Sequence, residues 1–206
     1  VLPPREITLH PLGLVLFLGL LGLWYWLSTG ARAVPTWIEM LQDDDPSTRI
    51  VAAEQLGQVG PAAQAAIPRL LAQATRDGSQ HANTTAAAAL KSIDLTAARQ
   101  VMTHFIPRLL DQDAQQRRTA CAVLGSLGPV AKPAVPALLA VGHDPDELVR
   151  RNALMALASI GIPSPPIVAA LLEGLRDSSS LVRQTAVTQF AFTVPLTQPV
   201  IAALTP

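Results

Sequence analysis

Five aspartates recur along the chain, each followed six residues later by a polar side chain: Asp43 with Arg49, Asp77 with Asn83, Asp111 with Arg117, Asp144 with Arg150, and Asp177 with Arg183. A carboxylate beside a guanidinium can tune a general acid or clamp an anionic substrate. Copies at steps of 34, 34, 33 and 33 residues argue instead for a structural part used once per repeat. The remaining reactive side chains are dispersed. His10, His81, His104 and His143 have no second histidine at i+3 or i+4, and no His-Glu dipeptide occurs, so no metal motif forms. Cys121 is the sole cysteine, which rules out an internal disulfide or a cysteine-based zinc site. It lies in RRTACAVLG at an inward helical position and reads as a small buried hydrophobe. Ser126 and Ser159 have no His/Asp arrangement nearby in sequence, and no glycine-rich phosphate loop is present. The expectation is a protein that is not an enzyme, with no catalytic residues, no cofactor and no metal.

The elements carrying these residues follow from the same period. Three residues after each Arg/Asn position come Ala52, Ala86, Ala120, Ala153 and Ala186. Leu56, Leu90, Leu124, Leu157 and Phe190 follow, then Val59, Ile93, Leu127, Ile160 and Thr193. Offsets of four and three place these residues on one face of a helix, helix B. A shorter apolar segment precedes each aspartate: IPRLL at Ile67–Leu71 and at Ile106–Leu110, and VPALL at Val135–Leu139. Each unit therefore reads as helix A, a turn at the aspartate, and helix B. Gly60, Gly128 and Gly161 sit where a left-handed C′ residue ends a helix, with Pro61, Pro129 and Pro163 beyond them. Pro68, Pro107 and Pro136 suit the first turns of A helices. Five extra residues within Leu95–Phe105 are expected to lengthen the exit loop of repeat two, which places His104 in a loop, as is also expected of His143. Repeat five has Val194 in place of the terminal glycine, and an apolar helix is expected near Leu196–Leu204.

Composition supports an all-α fold. Half the residues are apolar but only 4 % are aromatic, which suits close helix packing better than a β-sandwich. Net charge is +0 without a Lys/Arg run, so nothing directs the chain to nucleic acid. Charged residues reach only 15 %, below the roughly 25 % of an average domain, so part of the surface is expected to meet lipid or partners.

Residues 1–33 differ from the rest. Leu12–Leu27 is apolar throughout, and the stretch from Leu9 to Thr29 spans a ~30 Å hydrocarbon core as a helix. Trp24, Tyr25 and Trp26 gather at its end, as expected of a membrane interface. A single-pass anchor in contact with lipid is the reading, with the side of the repeat domain undetermined by Arg5 and Arg32. The alternative is a secretory signal cleaved after Ala31-Arg32-Ala33, which would release a soluble repeat adaptor.

From residue 34 to residue 206 the chain resembles HEAT repeats, in the shorter form also seen in phycobilisome-lyase-like proteins. The resemblance rests on the proline in helix A, the aspartate in the turn and the arginine six residues later; Asn83 departs from it. It implies a right-handed α-solenoid of about five helical hairpins. It further implies that each aspartate caps helix B and each arginine bridges adjacent turns as a ladder. One iron-dependent hydroxylase family uses HEAT repeats with His-Glu ligands, which this sequence lacks. B helices in such solenoids line a binding surface, and Gln58, Ser92, Ser126 and Ser159 share one register there, a column suited to facing a partner. The expected function is a non-catalytic, membrane-anchored scaffold or assembly subunit. Its partners would be integral membrane subunits of a photosynthetic or respiratory complex. A bilin lyase or lyase chaperone is the alternative of a different class.

Overall fold

The computed structural model describes residues 32–75, 78–161 and 164–193. The proposed membrane span, with Trp24, Tyr25, Trp26 and His10, lies outside them, as do Asp77, Pro163, Val194 and the expected helix at Leu196–Leu204. Among the described residues every regular element is helical, and no helix is long and apolar enough to cross a membrane.

Helix α1 covers residues 32–40. The B helices are α2 (Pro46–Val59), α4 (Gln80–Ile93), α6 (Ala114–Ser126), α8 (Glu147–Ile160) and α10 (Ser180–Thr193). Between them lie α3 (Ile67–Thr75), α5 (Leu95–Phe105), α7 (Val135–Ala140) and α9 (Pro165–Gly174) as A helices. Short 3-10 segments at Gly60–Ala66 and Gly128–Ala134 lead into α3 and α7.

Four of the B helices, α2, α4, α6 and α8, start at a side-chain cap. Asp45 accepts the Ser47 N–H at 3.0 Å, Ser79 the Ala82 N–H at 3.3 Å, Asp113 the Gln115 N–H at 2.9 Å, and Asp146 the Val149 N–H at 2.9 Å. These contacts satisfy amides that have no intrahelical partner. The cap therefore falls two residues after the repeat aspartate, which corrects the sequence expectation. Asp43, Asp111, Asp144 and Asp177 instead accept the N–H two residues on, at 2.8–2.9 Å, and so shape the turn that presents the cap. At the other end, Gly60, Gly128 and Gly161 have φ of 66°, 58° and 80°, a region costly for any residue with a Cβ.

The five-residue insertion is helical rather than a loop. Asp94 ends α4 through its N–H to Leu90 O at 2.8 Å, and its carboxylate accepts the Thr96 N–H at 2.9 Å to start α5. One residue thus closes one helix and opens the next, leaving no length for a loop. Helix α5 buries Ala98, Val101 and Phe105 completely. His104 consequently sits in the last turn of α5, and His143 in the 3-10 turn Val141–His143. Pro107 opens a 3-10 turn (Pro107–Leu110) behind α5, whereas Pro68 and Pro136 occupy first turns of α3 and α7. The same pentapeptide, IPRLL, therefore begins one A helix and follows another.

A single apolar core runs from Val34 to Phe190. The Ala52, Ala86, Ala120, Ala153 and Ala186 column is fully buried, as are Leu56, Leu90, Leu124 and Leu157. Successive B helices pack side by side, α2 on α4, α4 on α6, α6 on α8 and α8 on α10. Two of these contacts are especially close. A Cβ on Gly57 would stand 3.1 Å from Ala89 Cα, and one on Gly125 would stand 3.1 Å from Ala156 Cα. Repeat two has Lys91 at that register, and α4 meets α6 over a smaller contact. Lys91 Nζ donates to Ser126 O at 2.9 Å, neutralising a terminal carbonyl of α6.

Candidate functional site

Asp43, Asp111, Asp144 and Asp177 lie in the turns before the B helices, and Arg49, Asn83, Arg117, Arg150 and Arg183 lie in the first turns of those helices. Each arginine first holds its own turn: Arg49 Nη1 donates to Asp43 O at 2.6 Å and Asp44 O at 2.8 Å. Arg117 does the same to Asp111 and Gln112, Arg150 to Asp144 and Pro145, and Arg183 to Asp177 and Ser178. Among the described residues, Arg117 and Arg150 also reach forward. Arg117 grips Asp144 through Nε at 2.7 Å and Nη2 at 2.9 Å, and Arg150 grips Asp177 through the same atoms at 2.8 Å each. Asn83, buried at 2 % exposure, takes this register in repeat two, where its uncharged amide makes no ion pair. The Arg150 hydrogen bond holds the Asp177 carboxyl below the usual range. Burial pushes Asp144 up, but Arg117 and the Asp146 N–H together bring it down. With both partners largely withdrawn from water and fully engaged, these pairs hold adjacent turns rather than offer a free acid or base.

Sequence reasoning missed a second rung beside the first. Arg118 donates to Asp146 through Nε at 3.0 Å and also through Nη2. This hydrogen bond draws the Asp146 carboxyl down to about 2. The signal was present as Arg117-Arg118 and Arg150-Arg151, 33 residues apart, with Asp113 and Asp146 in the same step.

The register Gln58, Ser92, Ser126 and Ser159 lies along the B helices and falls into two grooves. Gln58 and Ser92 line one between α2 and α4, of about 290 Å³, together with Glu54 and Thr85. Ser126 and Ser159 line another between α6 and α8, of about 300 Å³, with Arg151, Asn152 and Met155. Gly57 floors the first groove and Gly125 the second, so the close helix contacts set both depths. Ser92 Oγ donates to Ala88 O at 3.4 Å and Ser126 Oγ to Val123 O at 2.7 Å. Their protons are turned into their own helices, which leaves oxygen lone pairs to accept from a visitor's N–H. Such hydroxyls are hydrogen-bonding surface.

Cys121 also borders the α6–α8 groove but is fully buried, and burial pushes its thiol up to about 12, so it stays protonated at neutral pH. His104 meets Phe105 edge to face with ring centroids 5.2 Å apart, and His143 Nδ1 lies 3.5 Å from Glu173 Oε1 at an exposed position. Among the described residues no group of three or more His, Cys, Asp or Glu is placed to hold a metal ion.

Comparison with known proteins agrees with this geometry. Among curated proteins, none matches the sequence. Solved structures do. A chain from the complex of CpcE and CpcF of phycocyanin lyase from Nostoc sp. PCC7120 superposes with a TM-score of 0.55 at 26 % identity, covering 77 % of this chain and 98 % of that one. A designed armadillo repeat protein in complex with the peptide (KR)4 superposes at 0.52 with 16 % identity, covering 83 % and 86 %. An engineered protein reaches 0.50 at 21 % identity, covering 83 % of each chain. The second and third likenesses concern the fold alone. The family description "HEAT repeats" matches residues 34–108 and 102–191, most of the sequence. With its helical hairpins, its turn arginines and that match, the chain belongs to the HEAT repeat family.

Proposed function

We propose that this protein is a non-catalytic scaffold that binds other proteins through the face formed by its B helices, and that residues 9–29 anchor it to a membrane as an accessory subunit of a photosynthetic or respiratory complex. The observation that carries the reading is the pair of B-helix grooves, α2–α4 and α6–α8, lined by neutral hydrogen-bonding side chains. Their small-residue floors admit a partner's backbone, and the serine oxygens accept its amides. Anchoring so near the repeats raises the effective concentration of the face toward other membrane components. The test is extraction of the native membrane in mild detergent, then native sizing and mass spectrometry of what migrates with the chain. Stoichiometric co-migration with integral membrane proteins, lost in Ser126→Trp, supports the reading. Migration as a lone chain overturns the stable-subunit reading.

A second reading rests on the likeness to the phycocyanin lyase complex, which covers nearly the whole of that solved chain. In it, this protein pairs with another repeat chain and handles a bilin. Incubation of the purified protein with a free bilin, followed by absorbance spectra, tests it. A red-shifted, saturable complex favours this reading, and unchanged bilin spectra sink it.

A further inference from the structure

The rung formed by Arg118 and Asp146 has no counterpart one repeat later. Arg118 reaches a residue 28 positions on, which is Asp146. The residue 28 positions beyond Arg151 is Ser179, which carries no charge. Arg117, Arg118 and Arg150 are each paired with a carboxylate. The Arg151 Nε, by contrast, is buried without a hydrogen-bond partner. Glu147, four residues earlier on α8, is exposed and is not among the residues lining the α6–α8 groove.

Arg151 instead lines the α6–α8 groove, beside Gln80, Asn152, Ser126 and Ser159. No aspartate or glutamate is among the residues of that groove. Its chemistry is thus an uncompensated guanidinium among amide and hydroxyl groups, over a floor of Gly125 and Ala156 and beside the half-exposed Met155. The α2–α4 groove has the opposite character, with Glu54 as its charged group. A partly buried arginine that no carboxylate among the described residues pairs with is satisfied best by a visitor's carboxylate, which accepts from the planar fork.

We propose that the α6–α8 groove docks an extended segment of a partner protein and selects an aspartate or glutamate side chain within it through Arg151. The inference rests on the B-helix face being the binding face, and narrows its partner to an acidic segment at repeats three and four. The polar neighbours then serve the segment's backbone, and the single charge sets its register.

A random dodecapeptide display library panned on the full chain in detergent micelles tests this, with Ser126→Trp, Arg151→Gln and Lys132→Gln panned in parallel. Lys132 is exposed and lies outside both grooves, so Lys132→Gln controls for the loss of one positive charge. The expected result is a set of binders lost in Ser126→Trp and enriched in Asp and Glu by at least about threefold. That enrichment disappears in Arg151→Gln, persists in Lys132→Gln, and weakens as ionic strength rises. Binders that depend on Ser126 but show no acidic enrichment, or keep it in Arg151→Gln, overturn the acidic assignment and leave the binding face standing. The absence of any Ser126-dependent binder overturns both. Superimposable far-UV circular dichroism and melting curves for Arg151→Gln and the parent assign the change to recognition rather than to folding.

Discussion

Arg150 and Asp177, 27 residues apart in sequence, meet through two parallel hydrogen bonds of 2.8 Å while the same guanidinium holds the carbonyls of Asp144 and Pro145. One side chain therefore fixes its own turn and clamps the next. Arg150→Gln is expected to lower stability by about 2 kcal/mol, less than for a wholly buried pair because the two side chains keep 14 % and 13 % exposure. Arg150→Lys is expected to recover little of this, since an ammonium cannot span two carbonyls and a carboxylate at once. Urea unfolding followed by circular dichroism reads both changes.

The carboxylates of these rungs make stability depend on acid. Asp146 is held near 2 by Arg118, and Asp177 is lowered by Arg150, against an ordinary value of 3.8. A depressed carboxyl binds its proton less readily folded than unfolded, so its contribution is complete above about pH 5 and is lost as pH falls toward 2. Urea midpoints are expected to hold steady from pH 7 to 5 and drop steeply from pH 4 to 2.5. In Asp146→Asn the drop is expected to be shallower, from a lower starting stability.

A Cβ added at Gly125 would press on the Ala156 backbone, which cannot yield as a flexible side chain would. Gly125→Ala is expected to cost about 1 kcal/mol net, because forcing α6 from α8 outweighs the better helix propensity of alanine. Gly57→Ala is expected to behave alike against Ala89. A Cβ at Gly142 meets nothing within 4 Å, so Gly142→Ala serves as the neutral control in thermal melts.

Filling a groove is expected to separate binding from folding. Ser159 is exposed on α8 and lines the α6–α8 groove. Ser159→Trp is expected to leave the melting temperature within a few degrees and to weaken partner binding at least about tenfold, read by native co-migration or anisotropy. Unchanged binding with unchanged folding would move the interface elsewhere.

The repeat was legible because its costliest positions cannot vary freely. Ala120 and Leu124 must fit between fully packed helices, and Arg117 must reach its own turn, so their types recur. The cap column was harder to see. Asp45, Ser79, Asp113 and Asp146 keep the same step, but either side chain accepts the amide, so residue identity drifts. The insertion was misread because the double duty of Asp94 is a matter of backbone direction, which spacing does not reveal. The grooves emerged only with the helices in place, since Gly125 and Arg151 become neighbours through the packing of α6 on α8.

The burial of Cys121 gives the molecule an internal stopwatch. It is the chain's sole cysteine, it is completely covered, and its thiol is held protonated at neutral pH. A maleimide or disulfide reagent can reach it only when the packing around α6 opens, so its labelling rate follows that opening. An occupant of the groove above it would slow the clock without touching the sulfur, turning one unmodified atom into a gauge of partner residence at repeats three and four.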